Sequence, residues 1–241
     1  MSDDRANGAN GPQSPPIGKG RKRRRYRRPW RAPSGPSAAD RPGFHYAALD
    51  LGTNNCRLLV ARPTADAFRV VDSFSRIVRL GEGLSTSGRL SDIAMNRAIG
   101  ALRICASKLR QHGKIRSRLI ATEACRAATN GSEFLSRVRT ATGLSLEIID
   151  RETEARLAAH GCASLLDPEA SGAILFDIGG GSSELALLGR RGTQDSGPPS
   201  AAVQSWASLP IGVVTLAERY GGKDVTRASF AAMIAEVQPL V

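Results

Sequence analysis

Histidine is nearly missing from this sequence: His45, His112 and His160 are the only three in 241 residues, and each stands alone. That scarcity argues against a histidine-built metal centre and against a Ser-His-Asp triad. Cysteine is scarce as well. Cys56, Cys105, Cys125 and Cys162 are scattered through apolar segments without metal-ligand spacing, so they read as core thiols of a reducing cytoplasm. No apolar run reaches the ~18 residues of a membrane span, and the opening segment has paired arginines but no apolar stretch of the kind a signal peptide carries. Neither a Walker G-K-[ST] nor a glycine fingerprint running into a helix accompanies the glycine-rich turns.

Acidic residues are in short supply, 22 against 34 Lys and Arg, and the resulting +12 is unevenly spread. Residues 1–42 hold 11 basic and 3 acidic residues, which places +8 of the excess there. This segment is rich in Pro, Gly, Ser and Arg and has no apolar periodicity, so it is expected to be disordered. Its core, RKRRRYRRPWR at 21–31, interleaves arginine with Tyr26 and Trp30 and suits a polyanion such as polyphosphate, RNA or DNA. A solubilising tail without a dedicated partner is an equal reading. The remainder, in a chain that is 41% apolar, has the length for one or two domains with a real core.

What is present begins with ILFDIGGGSSELAL, residues 174–187, in which Asp177 and three consecutive glycines interrupt two apolar runs. Glycines in a row permit dihedrals that other residues avoid and leave backbone amides free to face phosphate oxygens, with Ser182 and Ser183 adding hydroxyls. An acid before such a turn would repel bare phosphate, but it suits a Mg²⁺ ion shared between carboxylate and phosphate. A tight hairpin with an acidic flank is the plainer alternative. A second copy weighs against it: YAALDLGTNNCRLLVAR, residues 46–62, aligns without a gap at an offset of 127, pairing Asp50 with Asp177, Gly52 with Gly179 and Leu58 with Leu185. Two Asp-x-Gly hairpins in two halves are what two facing domains gripping one phosphate chain require.

Around these hairpins the pattern predicts strands at 46–51, 56–62 and 68–78. A helix then runs from an N-cap at Ser91 to a stop at Gly113, with Ile93, Ala94, Ala98, Ala101, Leu102, Cys105 and Leu109 at helical spacing. Strand 118–121, a loop, helix 132–141, strand 145–149, helix 152–165 and strand 172–177 follow. The order is that of an α/β protein. The implied organisation is a basic tail at 1–42, a first domain at 43–152 and the start of a second at 153–241.

Duplicated hairpins of this kind resemble the actin-like ATPase superfamily, with its ribonuclease H-like fold. More specific strings are ALDLGTNNCRLLVA at 48–61, ATEACRAATNGSEFLSRV at 121–138, EIIDRETEARLA at 147–158, DIGGGSSELAL at 177–187 and SLPIGVVTLAERY at 208–220. In this order they are similar to the exopolyphosphatase and guanosine pentaphosphate phosphohydrolase family, over about residues 44–241. The resemblance implies one complete actin-like domain followed by an incomplete second copy, because family members continue further than this chain. It places Gly52, Thr53 and Asn54 on a first phosphate loop, Gly179, Gly180, Gly181 and Ser182 on a second, and Asp50 and Asp177 near Mg²⁺. It makes Glu154 the catalytic carboxylate, Glu184 a second active-site acid and Arg126 a cleft arginine, with Glu123 ranking below Glu154. Asn55 and Thr153 depart from the family pattern, which more often has Ser and a second acid there.

The implied activity is Mg²⁺-dependent release of terminal phosphate from polyphosphate, or of the 5′ phosphate from guanosine pentaphosphate, by a cytoplasmic enzyme that the family would make a homodimer. Two other readings stay open: a polyanion-binding protein without turnover, and an actin-like kinase or ATPase. Taken alone, Glu154 could also be a surface acid paired with Arg151 or Arg156 along its own helix.

Overall fold

The computed structural model describes residues 44–64, 67–167, 169–189, 202–222 and 224–241. The tail read at 1–42, with its 21–31 stretch, lies outside the described residues.

Alternating apolar side chains make half-buried strands of HYAALDL and NCRLLVARP: β1 (His45–Leu51) turns Ala47, Leu49 and Leu51 inward, and β2 (Asn55–Pro63) turns Cys56, Leu58 and Val60 the same way. With β3 (Phe68–Ile77), β4 (Ile115–Ala121) and the two-residue β5 (Glu147–Ile148) they form a sheet in the order β3-β2-β1-β4-β5. The first three strands are an antiparallel meander, while β4 and β5 add in parallel. Parallel addition requires crossovers. The first carries α1 (Leu84–Ser87) and α2 (Asp92–Gln111), the second α3 (Glu123–Ala127) and α4 (Gly131–Thr142).

Helix α2 starts where the sequence says, with the Ala94 amide donating to Ser91 Oγ at 3.2 Å. Its inward stripe of Ala94, Ala98, Ala101, Leu102, Cys105 and Leu109 packs on the sheet together with Phe134 and Val138 of α4. Ile93 is a correction: it is 75% exposed, because it sits in the first turn beside the stripe rather than on it. Cys56, Cys105 and Cys125 are buried in this core, as core thiols should be, and the sulfurs of Cys56 and Cys105 approach to 3.9 Å. Although far apart in sequence, the rings of His45 and His112 lie 5.3 Å apart where β1 begins and α2 ends.

The second half opens with α5 (Arg151–Cys162), whose N-cap Asp150 accepts from the Thr153 amide at 2.7 Å; the helix tightens into a 3₁₀ turn at 163–165 rather than running to 165 as α-helix. Strands β6 (Gly172–Ile178), β7 (Ser183–Gly189) and β8 (Ala202–Leu209) form an antiparallel sheet, followed by α6 (Val213–Tyr220) and α7 (Arg227–Val237). Helix α5 packs on β7 and β8 through Ala159, Ala186 and Leu188. Among the described residues no helix is long and apolar enough to cross a membrane.

The repeat seen in the sequence is repeated in hydrogen bonding. In β1–β2 Leu51 pairs with Cys56 and Asp50 with Arg57; in β6–β7 Ile178 pairs with Ser183 and Asp177 with Glu184, each position shifted by the same 127. The register irregularity where the second strand meets the third, between Val60 and Ala61, recurs between Leu187 and Leu188.

Candidate active site

Each hairpin closes through the same short turn. The Gly52 amide donates to the Asn55 carbonyl at 2.9 Å, and the Gly179 amide donates to the Ser182 carbonyl at 2.9 Å. The two turns face each other through Thr53, which is buried: a methyl group on Gly180 would lie 3.1 Å from Thr53 Cβ, and one on Gly181 would lie 2.8 Å from Thr53 Oγ1. The residues expected to form two phosphate loops, Gly52, Thr53 and Asn54 on one side and Gly179, Gly180, Gly181 and Ser182 on the other, are thus brought together. The reason for the glycines differs from the expectation. None of Gly179, Gly180 and Gly181 takes a positive φ, so space rather than conformational freedom demands them.

Helix α6 is tied to the second turn. The amides of Val213 and Val214 donate to the carbonyls of Gly179 and Gly180 at 3.0 and 2.8 Å. At the other end of the helix Glu218 accepts from the Gly83 amide at 2.9 Å and from Ser85 Oγ at 2.7 Å. Since the Gly81 amide donates to the Thr53 carbonyl at 3.0 Å, α6 connects one turn to the other through a path that the sequence did not disclose.

The acids converge on the same place. Asp177, Glu184 and Ser208 are in register across β6, β7 and β8, and Ser208 Oγ donates to Glu184 Oε1 at 2.9 Å. Two carboxylates directly opposite one another in a ladder are unfavourable without a countercharge. Asp50 lies near enough for the Asp177 charge to act on it. Burial, the larger cause, and Asp177 both push its carboxyl above the usual range, against the pull of Arg57. Its Oδ1 is buried without a hydrogen-bond partner among the described residues.

Glu154 projects from the first turn of α5 with a side chain only 19% exposed, and it accepts from Arg126 Nη2 at 3.0 Å. Burial pushes its carboxyl up, Arg126 pulls it down, and Glu184 and Asp50 push it up again, leaving it above the ordinary value. The surface-acid alternative does not hold: Arg151 pairs with Glu123, and Arg156 pairs with Glu152. Glu123, ranked low from sequence, is a buried carboxylate that both Arg126 and Arg151 grip. Its sequence signal was only its place in ATEACR, three positions before Arg126; Arg151, Ser208 and Glu218 had only their places in the strings at 147–158 and 208–220, with no role attached to Ser208 or Glu218. Beside this cluster opens a cavity of about 490 Å³ lined by Glu123, Arg126, Asp150, Arg151, Glu152 and Trp206.

A family profile matches most of this chain, including the second Asp-x-Gly turn and Glu154. That profile, of the Ppx/GppA phosphatase family, covers residues 59–239. The chain belongs to the Ppx/GppA phosphatase family. Solved structures agree. An exopolyphosphatase-like protein is 32% identical, with a TM-score of 0.70 over 81% of this chain and 59% of that one. The Ppx/GppA enzyme of Aquifex aeolicus is 29% identical, with a TM-score of 0.62 over 81% and 62% of the two chains. An exopolyphosphatase of Cytophaga hutchinsonii is 26% identical, with a TM-score of 0.71 over 81% and 61%. The fold is accordingly α/β and of the actin-like ATPase class. The chain spans between 59% and 62% of the length of these three relatives.

Proposed function

We propose that this Ppx/GppA family member hydrolyses the terminal phosphoanhydride of inorganic polyphosphate, or the 5′ phosphoanhydride of guanosine pentaphosphate. The observation that carries the reading is Glu154: a carboxylate shielded from water, above its ordinary proton affinity, and within electrostatic reach of Asp50 and Glu184 beside two facing glycine turns. A group so tuned can accept a proton from an attacking water, which is typically worth roughly 10²- to 10⁴-fold in rate. Glu184, fixed by Ser208, helps to orient that water, and the turns containing Gly52, Thr53, Asn54, Gly179, Gly180, Gly181 and Ser182 supply donors for phosphate oxygens.

Five carboxylates, Asp50, Glu123, Glu154, Asp177 and Glu184, share this region with three guanidiniums, Arg57, Arg126 and Arg151. An anionic substrate therefore needs a cation. Asp50 Oδ1, buried and without a hydrogen-bond partner among the described residues, within electrostatic reach of Asp177, fits one, and a site with few carboxylates suits Mg²⁺, which keeps water and phosphate oxygens in its shell. Asp50 and Asp177 would hold that ion, whose chemistry is neutralisation of phosphate charge.

The four free cysteines fit a reducing, cytoplasmic setting. The arginine-rich 21–31 stretch is assigned a polyanion contact, so deletion of 1–42 should weaken retention on polyphosphate or nucleic acid; undiminished retention would leave it a solubiliser.

The decisive experiment is orthophosphate release from long-chain polyphosphate and from guanosine pentaphosphate in Mg²⁺, comparing wild type with Glu154→Gln. Release by wild type and a fall of roughly 10²-fold or more in the variant support the proposal. Salt-sensitive binding without release by either protein would instead mark a polyanion binder.

A further inference from the structure

We propose that Glu123, together with Arg151, is a positioning residue that locks Arg126 against Glu154, and that Arg126 serves the reaction through that carboxylate rather than as a many-pronged phosphate clamp. This rests on the hydrolase reading.

Arg126 has almost no donor left for a substrate. A guanidinium offers five N–H bonds in a fixed fork. Arg126 Nε donates to Glu123 Oε2 at 3.0 Å, Nη2 donates to Glu123 Oε2 at 2.5 Å and to Glu154 Oε2 at 3.0 Å, and Nη1 donates to the Ile149 carbonyl at 2.8 Å. One Nη1 hydrogen remains, too few for a bidentate grip on phosphate.

Glu123 is fixed as firmly as the residue it holds. It opens α3 immediately after β4, is 8% exposed, and takes Arg151 Nη2 on Oε1 at 2.9 Å. Its stem lies against the second turn, where a methyl group on Gly181 would come within 3.2 Å of Cγ. The chain of contacts therefore runs from the glycine turn through Glu123 and Arg126 to Glu154. A base swinging freely on α5 would lose the alignment that in-line attack demands, and small misplacements in such sites are costly.

The test compares Glu123→Gln and Arg151→Gln with wild type. Because Arg151 is the more exposed of the two, its substitution is the safer for folding. The expected result is a kcat on polyphosphate lowered by about 10- to 100-fold in Glu123→Gln and by about 3- to 10-fold in Arg151→Gln, with KM within about twofold. Nitrogen-15 NMR of the arginine Nε groups gives a readout independent of turnover: a slowly exchanging Arg126 Nε proton in wild type that exchanges fast in Glu123→Gln. Lowered melting temperature with unchanged kcat in both variants would overturn the proposal, as would a raised KM at constant kcat, the mark of a phosphate clamp. Absence of release by wild type itself would sink the hydrolase reading, and the Nε exchange would then decide alone whether Glu123 locks Arg126.

Discussion

At the scale of single residues, close approach rather than backbone freedom dictates the glycines around the second turn. A methyl group on Gly212 would lie 2.5 Å from the Gly180 carbonyl carbon and 2.6 Å from the carbonyl oxygens of Gly179 and Gly180, all backbone atoms that cannot step aside. Gly212→Ala should therefore lose about 1–3 kcal/mol, read as a lower urea midpoint at unchanged slope. For Gly181→Ala the obstacle is the Thr53 side chain. Thr53→Ala should restore part of the stability lost by Gly181→Ala in a double-mutant cycle, and strict additivity would mean that the turns do not touch. The acids make a residue-scale prediction of their own. Asp50 and Glu154 both bind protons more tightly in the fold than in the open chain. In metal-free buffer stability then falls as pH rises above the ordinary carboxylate range, because the folded state holds more protons there. Asp72, bonded to Lys108 and His112, and Asp150, bonded to the Thr153 amide, are shifted downward and act oppositely, with stability lost as pH falls below that range. The melting temperature should peak in mild acid, and Glu154→Gln should flatten its alkaline side.

At the scale of elements, legibility followed locality. The two hairpins were readable because alternation and the Asp-x-Gly turn lie within a few residues of one another, and the same short pattern recurs 127 positions on; the structure repeats even their register. Helix α2 was readable from its cap and stripe. Helix α3 was not, being five residues long, and β8 was not, because AVQSWASL mixes polar and apolar positions without alternation. Nor could a sequence show that Glu154 would choose Arg126, 28 positions away, over the neighbours on its own helix. Helix α6 is the clearest case, since its bond from Glu218 to Gly83 joins residues 135 apart. Glu218→Ala should cost about 1 kcal/mol or less, as an exposed charge-assisted contact, and should raise KM more than it lowers kcat by loosening one turn from the other. A KM at the wild-type value would show that α6 does not set their spacing.

At the scale of the whole molecule, two copies of a hairpin meet at their turns and carry opposite charges at matching positions: Arg57 stands across from Asp50 where Glu184 stands across from Asp177. That asymmetry within a repeat argues for a single shared ligand, a cation bound to a phosphate chain, rather than one ligand per copy. The most direct measurement is anomalous diffraction from crystals grown with Mn²⁺, as a stand-in for Mg²⁺, and a methylene-bridged triphosphate that cannot be hydrolysed. The account predicts one Mn²⁺ peak in contact with Asp50 Oδ1 and with a phosphate oxygen, between the two glycine turns. A peak away from both aspartates, or an analogue bound elsewhere on the molecule, would contradict it.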